Sequence, residues 1–150
     1  DIDKTDYLQF VHDVPLENYI SRDEELRRVL SDLPQRKVIF TNADTPHAER
    51  VMNILGIREC FDQIIDINDI YPDCKPMPVS FQKALKIAGE TSASHCAFID
   101  DSIANLISAR QAGFYTVRVG CPDSSDQYDA GVVSLHDIRK IFSYPCTSPD

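Results

Sequence analysis

The sequence predicts an α/β protein, a Rossmann-like parallel sheet with flanking helices. Three observations carry this. Short apolar runs of strand length alternate with stretches whose apolar residues recur at helical spacing. Proline or glycine punctuates most of the changeovers. The conspicuous polar residues, Thr41 and the pair Asp100–Asp101, directly follow apolar runs, where parallel sheets carry their ligand chemistry. Alternation of this kind means βαβ units with right-handed crossovers.

Each element has a local cause. Leu26, Val29, Leu30 and Leu33 recur at helical spacing, and Pro34 stops that helix. Lys37 to Phe40 is a short buried strand running into Thr41-Asn42-Ala43-Asp44. Thr45 is the expected N-cap and Pro46 the first helical position, with Gly56 closing a helix that contains Val51, Met52 and Leu55. Gln63 to Ile67 is a second strand. Pro78 opens a helix with Phe81, Ala84, Leu85 and Ala88 on one face and Gly89 at its end. Cys96 to Ile99 is a third strand, after which Ser102 is placed to cap the helix Ile103 to Ala112, with Gly113 beyond. Tyr115 to Val119 is a fourth strand, and Val133 to Phe142 offers a short strand or turn followed by a helix. The start reads differently, as a polar helix with Tyr7, Phe10 and Val11 before the turn-like Asp13-Val14-Pro15.

The 150-residue chain, 43% hydrophobic, fits one modest domain with a real core. Its net charge of −9 argues against nucleic acid or an anionic membrane as partner, since both reward basic patches. A phosphorylated substrate stays compatible, provided backbone N–H groups, a lysine or a metal ion meet the phosphate locally. Cys60, Cys74, Cys96, Cys121 and Cys146 are odd in number and scattered, with neither zinc-finger spacing nor a disulfide framework. Together with the lack of any long apolar stretch, this predicts a cytoplasmic, reducing location.

Thr41 ends a strand just before a helix, so its hydroxyl and the N–H groups of Asn42 and Ala43 are candidates to hold a phosphate oxygen. Lys75 lies in Cys74-Lys75-Pro76-Met77-Pro78, where two prolines stiffen the loop that presents it. It could neutralise a phosphate and an aspartate together. Taken singly, these read more simply as a polar strand end and a solvent lysine. Asp100 and Asp101 are mutually repulsive neighbours, a cost that a bound Mg²⁺ offsets. The plainer alternative is a helix cap with a spare acid beside it. Their order along the chain carries more weight than any one of them. A threonine, then a lysine loop, then an acid pair form a phosphate-plus-metal constellation.

Here the chain resembles a family. Lys37-Val38-Ile39-Phe40-Thr41-Asn42 is similar to the second motif of the haloacid dehalogenase superfamily, and Lys75-Pro76-Met77-Pro78 with Phe81 to the third. Phe98-Ile99-Asp100-Asp101-Ser102, followed by Ala112-Gly113 and Thr116 to Gly120, resembles the fourth. Phe40 to Asp44 with His47-Ala48, and Tyr7 with Phe10-Val11-His12, are similar to the pyrimidine 5′-nucleotidase branch of fungi and plants. The resemblance implies an aspartate nucleophile forming an aspartyl-phosphate, and a second aspartate as general acid and base. It further implies Thr41 on the phosphoryl group, Lys75 balancing charge, and Asp101 with Asp100 holding Mg²⁺.

The first motif departs from the pattern. Asp1-Ile2-Asp3-Lys4-Thr5 has its letters, yet no apolar strand precedes Asp1, and the match reads as a coincidence at the start of a cap helix. Residues 1–20 are accordingly expected to be a remnant of a helical cap, 21–142 a catalytic core lacking its first strand, and 143–150 a loose tail. In this superfamily that strand lies between those ending at Thr41 and Asp100. The expected full-length activity is a nucleoside 5′-monophosphate phosphatase, with the chain itself truncated and inactive. The alternatives are a non-catalytic remnant that binds a phosphorylated ligand or a protein, and another enzyme of the superfamily, a dehalogenase or mutase.

Overall fold

The computed structural model describes residues 14–123 and 125–142. The expectations placed on Asp1, Asp3, Tyr7, Phe10, Val11, His12 and the tail fall outside these residues. In chain order the elements are α1 (Glu24–Asp32), β1 (Val38–Phe40), α2 (Thr45–Leu55), β2 (Gln63–Ile65), the single turn α3 (Ile67–Ile70), α4 (Pro78–Ile87), β3 (Ala97–Asp100), α5 (Ile103–Gln111), β4 (Tyr115–Val119), β5 (Ala130–Val132) and the short α6 (Arg139–Phe142). It is an α/β core of parallel strands flanked by helices.

Every pairing among these described strands is parallel. β1 pairs with β2 in the register Val38↔Gln63 to Phe40↔Ile65. β3 pairs with β4, and β4 with β5. Among the described residues β1 and β3 do not pair, so the strands form a pair and a triplet.

Helix ends follow the capping rules, with two corrections to the expected residues. α1 starts where the Asp23 side chain accepts the Leu26 N–H at 2.8 Å, and Glu24 and Glu25 favour its positive end. α2 is capped by Asp44, which accepts the His47 N–H at 3.1 Å, rather than by Thr45. Thr45 is already inside the helix, and its hydroxyl donates to Asp66 instead. Gly56 ends α2 at φ 74°, a left-handed conformation that glycine adopts without a Cβ penalty. Ser102 does stand at the N-cap of α5, but its side chain makes no capping bond. Asp100 takes the Ser102 N–H in its place.

Two elements differ from expectation. The second strand stops at Ile65, because Asp66 turns the chain into α3 through a reciprocal capping box with Asp69. A strand that the sequence did not mark, β5, precedes Val133, and the stretch from Val133 to Phe142 takes the turn-then-helix form of its expectation, with a 3₁₀ turn at Leu135–Asp137 and then α6.

The core explains how the two groups of strands stay together. Phe81 is fully buried and packs edge-to-face on Phe40 of β1 (centroids 5.6 Å apart) and on Phe98 of β3 (5.2 Å). These three aromatic rings span the break between β1 and β3 with the preferred edge-to-face geometry. On another side α1 straddles the same break. Its Leu26 and Leu30 pack with Met52 and Ile57, while Val29 packs with Val117, Val132 and Ile138. His136 joins this arrangement, with Nε2 at 2.9 Å from Asp23 and Nδ1 at 2.7 Å from Ser134. No helix among the described residues is long and apolar enough to cross a membrane.

Candidate functional site

The carboxyl ends of β1 and β3 meet at one lysine. Lys75 Nζ donates to the Phe40 carbonyl at 2.8 Å and to Asp100 Oδ2 at 3.1 Å. It also stands 5.0 Å from the Phe40 ring centroid and 5.4 Å from that of Phe98. The side chains of Lys75 and Asp100 are only 10% and 11% exposed, so this ion pair is largely withdrawn from water. Low local dielectric and two aromatic faces both strengthen the cation's local interactions.

Asp100 is held from three sides. Besides Lys75, it accepts the Ser102 N–H at 2.8 Å and the Asn105 amide at 3.2 Å to each oxygen. Asn105 was not among the residues singled out in the sequence. The signal was present, because it lies one turn into the helix that follows the acid pair and faces back toward the strand end. Asp101, by contrast, is exposed.

The loop after β1 is tightly bonded. Thr41 N–H continues the ladder to Ile65 O at 3.0 Å, and its Oγ1 accepts the Ala43 N–H at 3.0 Å. The Ala43 N–H is therefore already engaged within the loop in this structure, while the Thr41 hydroxyl retains its proton to donate. The exposed Asn42 uses its side chain rather than its backbone. Its Oδ1 accepts the Lys75 N–H and its Nδ2 donates to the Lys75 carbonyl, both at 2.9 Å.

Behind the loop lies Asp66, which the sequence did not reveal as important. It is 5% exposed, yet its Oδ2 accepts both the N–H and the hydroxyl of Thr45 at 2.8 Å. Oδ1 accepts Asn68 N–H at 2.8 Å and Asp69 N–H at 3.1 Å. Burial alone pushes this carboxyl up, but the Thr45 hydroxyl and the converging N–H groups outweigh it and hold the group below the ordinary aspartate value.

Among the described residues, no group of three His, Cys, Asp or Glu side chains could hold a metal ion. Asp101 and Asp100 remain as an adjacent pair, which suits Mg²⁺, an ion that often takes one or two carboxylates and completes its shell with water and phosphate. The donor set fits in kind, and a metal ion there would share Asp100 with Lys75.

Parallel strands flanked by helices, with Thr41 following β1, Lys75 between the strand ends and the Asp100–Asp101 pair closing β3, define an α/β core. The model of the haloacid dehalogenase-like hydrolase family matches residues 2–113, and the chain belongs to that family. It is similar to phosphate metabolism protein 8 of Saccharomyces cerevisiae, with 35% identity over 154 residues that cover 94% of this chain and 48% of the yeast protein. The chain thus spans about half the length of that relative. Among solved structures it is similar to L-2-haloacid dehalogenase from Xanthobacter autotrophicus, with a TM-score of 0.71 and 17% identity over 94% of this chain and 67% of that one. A phosphatase of the family from Thermococcus onnurineus gives a TM-score of 0.68 and 19% identity over 95% of this chain and 66% of that one. At these identities the structural likeness establishes the fold. Hydrolases of this family typically use Mg²⁺, and enzymes of the superfamily generally act on phosphorylated substrates.

Proposed function

We propose that this chain carries the phosphate-handling part of a phosphohydrolase, with a phosphorylated small molecule as ligand. The observation that carries the reading is the position of Lys75. Its ammonium is desolvated, stacked on Phe40 and Phe98, and paired with Asp100 at 3.1 Å where β1 and β3 end. A phosphoryl group at that edge would meet the Lys75 charge and the Thr41 hydroxyl together, an arrangement worth more in a water-poor site than in solvent. The name of the yeast relative, which refers to phosphate metabolism, supports a phosphorylated ligand. Nucleoside 5′-monophosphates with a pyrimidine base are the favoured substrates, on the resemblance of the stretch from Phe40 to Ala48.

In this reading a carboxylate oxygen attacks phosphorus, the bond to the ester oxygen breaks, and an acid protonates the departing alkoxide. Water then cleaves the acyl phosphate. Thr41 orients the phosphoryl oxygens, and Lys75 balances the charge that gathers on them. Asn105 and the Ser102 N–H keep Asp100 aimed at Lys75. Mg²⁺ held by Asp101, with Asp100 directly or through water, would supply further charge neutralisation.

A second reading is phosphate binding without turnover. One observation favours it: among the described residues Lys75 pairs with a single carboxylate, Asp100, which is also held by Asn105 and Ser102. An assay of the purified chain with uridine and cytidine monophosphates plus Mg²⁺ separates the two. Turnover well below ~1 per second, a common enzyme value, together with measurable binding of the same nucleotides, would favour the second reading. Turnover above that rate, abolished by Asp101→Asn, would instead show that this chain supplies its own nucleophile. Failure to bind any phosphorylated ligand would sink both readings.

A further inference from the structure

Lys75 presents a problem of placement. Its ammonium must reach between two strand ends, yet it sits on a loop rather than on a strand or helix. The loop has little means of fixing itself. Pro76 and Pro78 have no N–H to donate, and Met77 N–H is used locally on Cys74 O at 2.8 Å. Apart from the Lys75 ammonium itself on Phe40 O, this loop is tied to the chain after β1 by the Asn42 side chain, with Lys75 N–H on Oδ1 and Lys75 C=O on Nδ2, both at 2.9 Å.

A primary carboxamide can turn one of its two N–H donors and its oxygen acceptor to the same side in a single plane, which matches the N–H and C=O that a peptide strand offers. Asn42 therefore pairs with the Lys75 backbone as a neighbouring strand would. The assignment of its two ends is forced, because the Lys75 N–H needs an acceptor and the Lys75 carbonyl needs a donor. An aspartate of nearly the same shape would keep the first bond and lose the second. Alanine would lose both.

We propose that Asn42 is the positioning residue for Lys75. It fixes both backbone polar groups of that residue so that the ammonium lies between Phe40 O and Asp100. The inference rests on Lys75 being the phosphate-balancing cation. It assigns Asn42 a role distinct from the direct phosphate contact expected of its backbone. Since Asn42 is exposed and belongs to no core cluster, its replacement should disturb Lys75 without unfolding the protein.

Two measurements on the 150-residue chain test this. The first is the rate of amine acylation at each lysine, followed by mass spectrometry. Exposed Lys86 serves as the reference, and Lys37, whose amine is held by the Leu33 and Gln35 carbonyls, reports on general loosening. We expect Asn42→Ala and Asn42→Asp to raise Lys75 acylation about tenfold, in line with the loss of one or two hydrogen bonds, while Lys37 stays protected. Unchanged Lys75 reactivity, or Lys75 and Lys37 rising together, would overturn the proposal. The second is inorganic phosphate binding in a double-mutant cycle with Lys75→Met. Asn42→Ala should weaken binding about tenfold on its own and add nothing in the Lys75→Met background. Additive losses would show that Asn42 does not act through Lys75. If Lys75→Met leaves phosphate binding intact, the functional reading of Lys75 falls, and acylation alone decides the positioning role.

Discussion

Lys75 and Asp100, 25 residues apart in sequence, form an ion pair at 3.1 Å that bridges the loop before α4 and the end of β3. Removing one member of a buried pair usually costs about 3–5 kcal/mol, because the other charge stays desolvated. Asp100 would keep its bonds from Ser102 and Asn105, so Lys75→Met should fall at the low end, about 3 kcal/mol. The double variant with Asp100→Asn should cost less than the sum of the two single changes. Urea unfolding of the four proteins measures this coupling, and strict additivity would contradict it.

Asp66 should be the main acid-sensitive point behind the loop. Its carboxyl lies below the ordinary aspartate value when folded, through the Thr45 hydroxyl and the N–H groups of Thr45, Asp69 and Asn68. A depressed folded value stabilises the protein fully above the unfolded value, about 3.9, and that contribution is lost as pH falls through the folded value. Asp66→Asn should cost about 2–3 kcal/mol at neutral pH, since an amide cannot accept four donors on two oxygens. It should also flatten the stability profile below about pH 4. Thermal melts across pH would show whether the variant keeps the wild-type acid slope.

Gly131 in β5 is required by space rather than by backbone angle. A Cβ there would overlap the carbonyl oxygen of Cys121, and the Asp123 carbonyl lies close behind. Gly89 is the opposite case, with φ +76° and open space around it. Gly131→Ala should therefore cost about 1–3 kcal/mol through overpacking. Gly89→Ala should cost about 1 kcal/mol through its left-handed backbone. Equal midpoints in urea for the two variants would mean that the chain from Cys121 to Asp123 yields easily.

These cases also show what the sequence could disclose. The strands ending at Phe40 and Asp100 were legible because apolar runs of strand length stood beside capped helices, and Tyr115–Val119 has its predicted limits. β5 was not, because Ala130-Gly131-Val132 lacks the β-branched and aromatic run that marks a strand. Its glycine answers to a neighbour that only the fold brings close. Thr41, Lys75, Asp100 and Asp101 were identifiable as types in order, and the structure brings Lys75 and Asp100 into contact. Asn42 and Asp66 act through partners 33 and 21 residues away, a kind of relation that local spacing cannot encode, whereas Asn105 lies five residues from Asp100 and was within reach of it.

Mg²⁺ binding should depend on the same pair, with a sign set by the charge of Lys75. Asp101 is exposed and costs little to recruit, whereas Asp100 is engaged by the Lys75 ammonium. In the absence of phosphate, a metal ion must compete with that ammonium for Asp100. At an effective dielectric near 20, two unit charges about 4 Å apart interact by roughly 4 kcal/mol, and desolvation offsets part of this. Removing the competing charge should therefore strengthen metal binding, even though it weakens phosphate binding. We expect Lys75→Met to bind Mg²⁺ about tenfold more tightly, equivalent to about 1.4 kcal/mol. Asp101→Asn should weaken Mg²⁺ binding in both backgrounds. Added inorganic phosphate should raise Mg²⁺ affinity in the wild type, by drawing Lys75 toward the anion, and do so much less in Lys75→Met. Calorimetric titration of Mg²⁺ with and without phosphate gives all of these values. Weaker Mg²⁺ binding in Lys75→Met would mean that Asp100 takes no part in holding the ion and that Lys75 supports the site in another way.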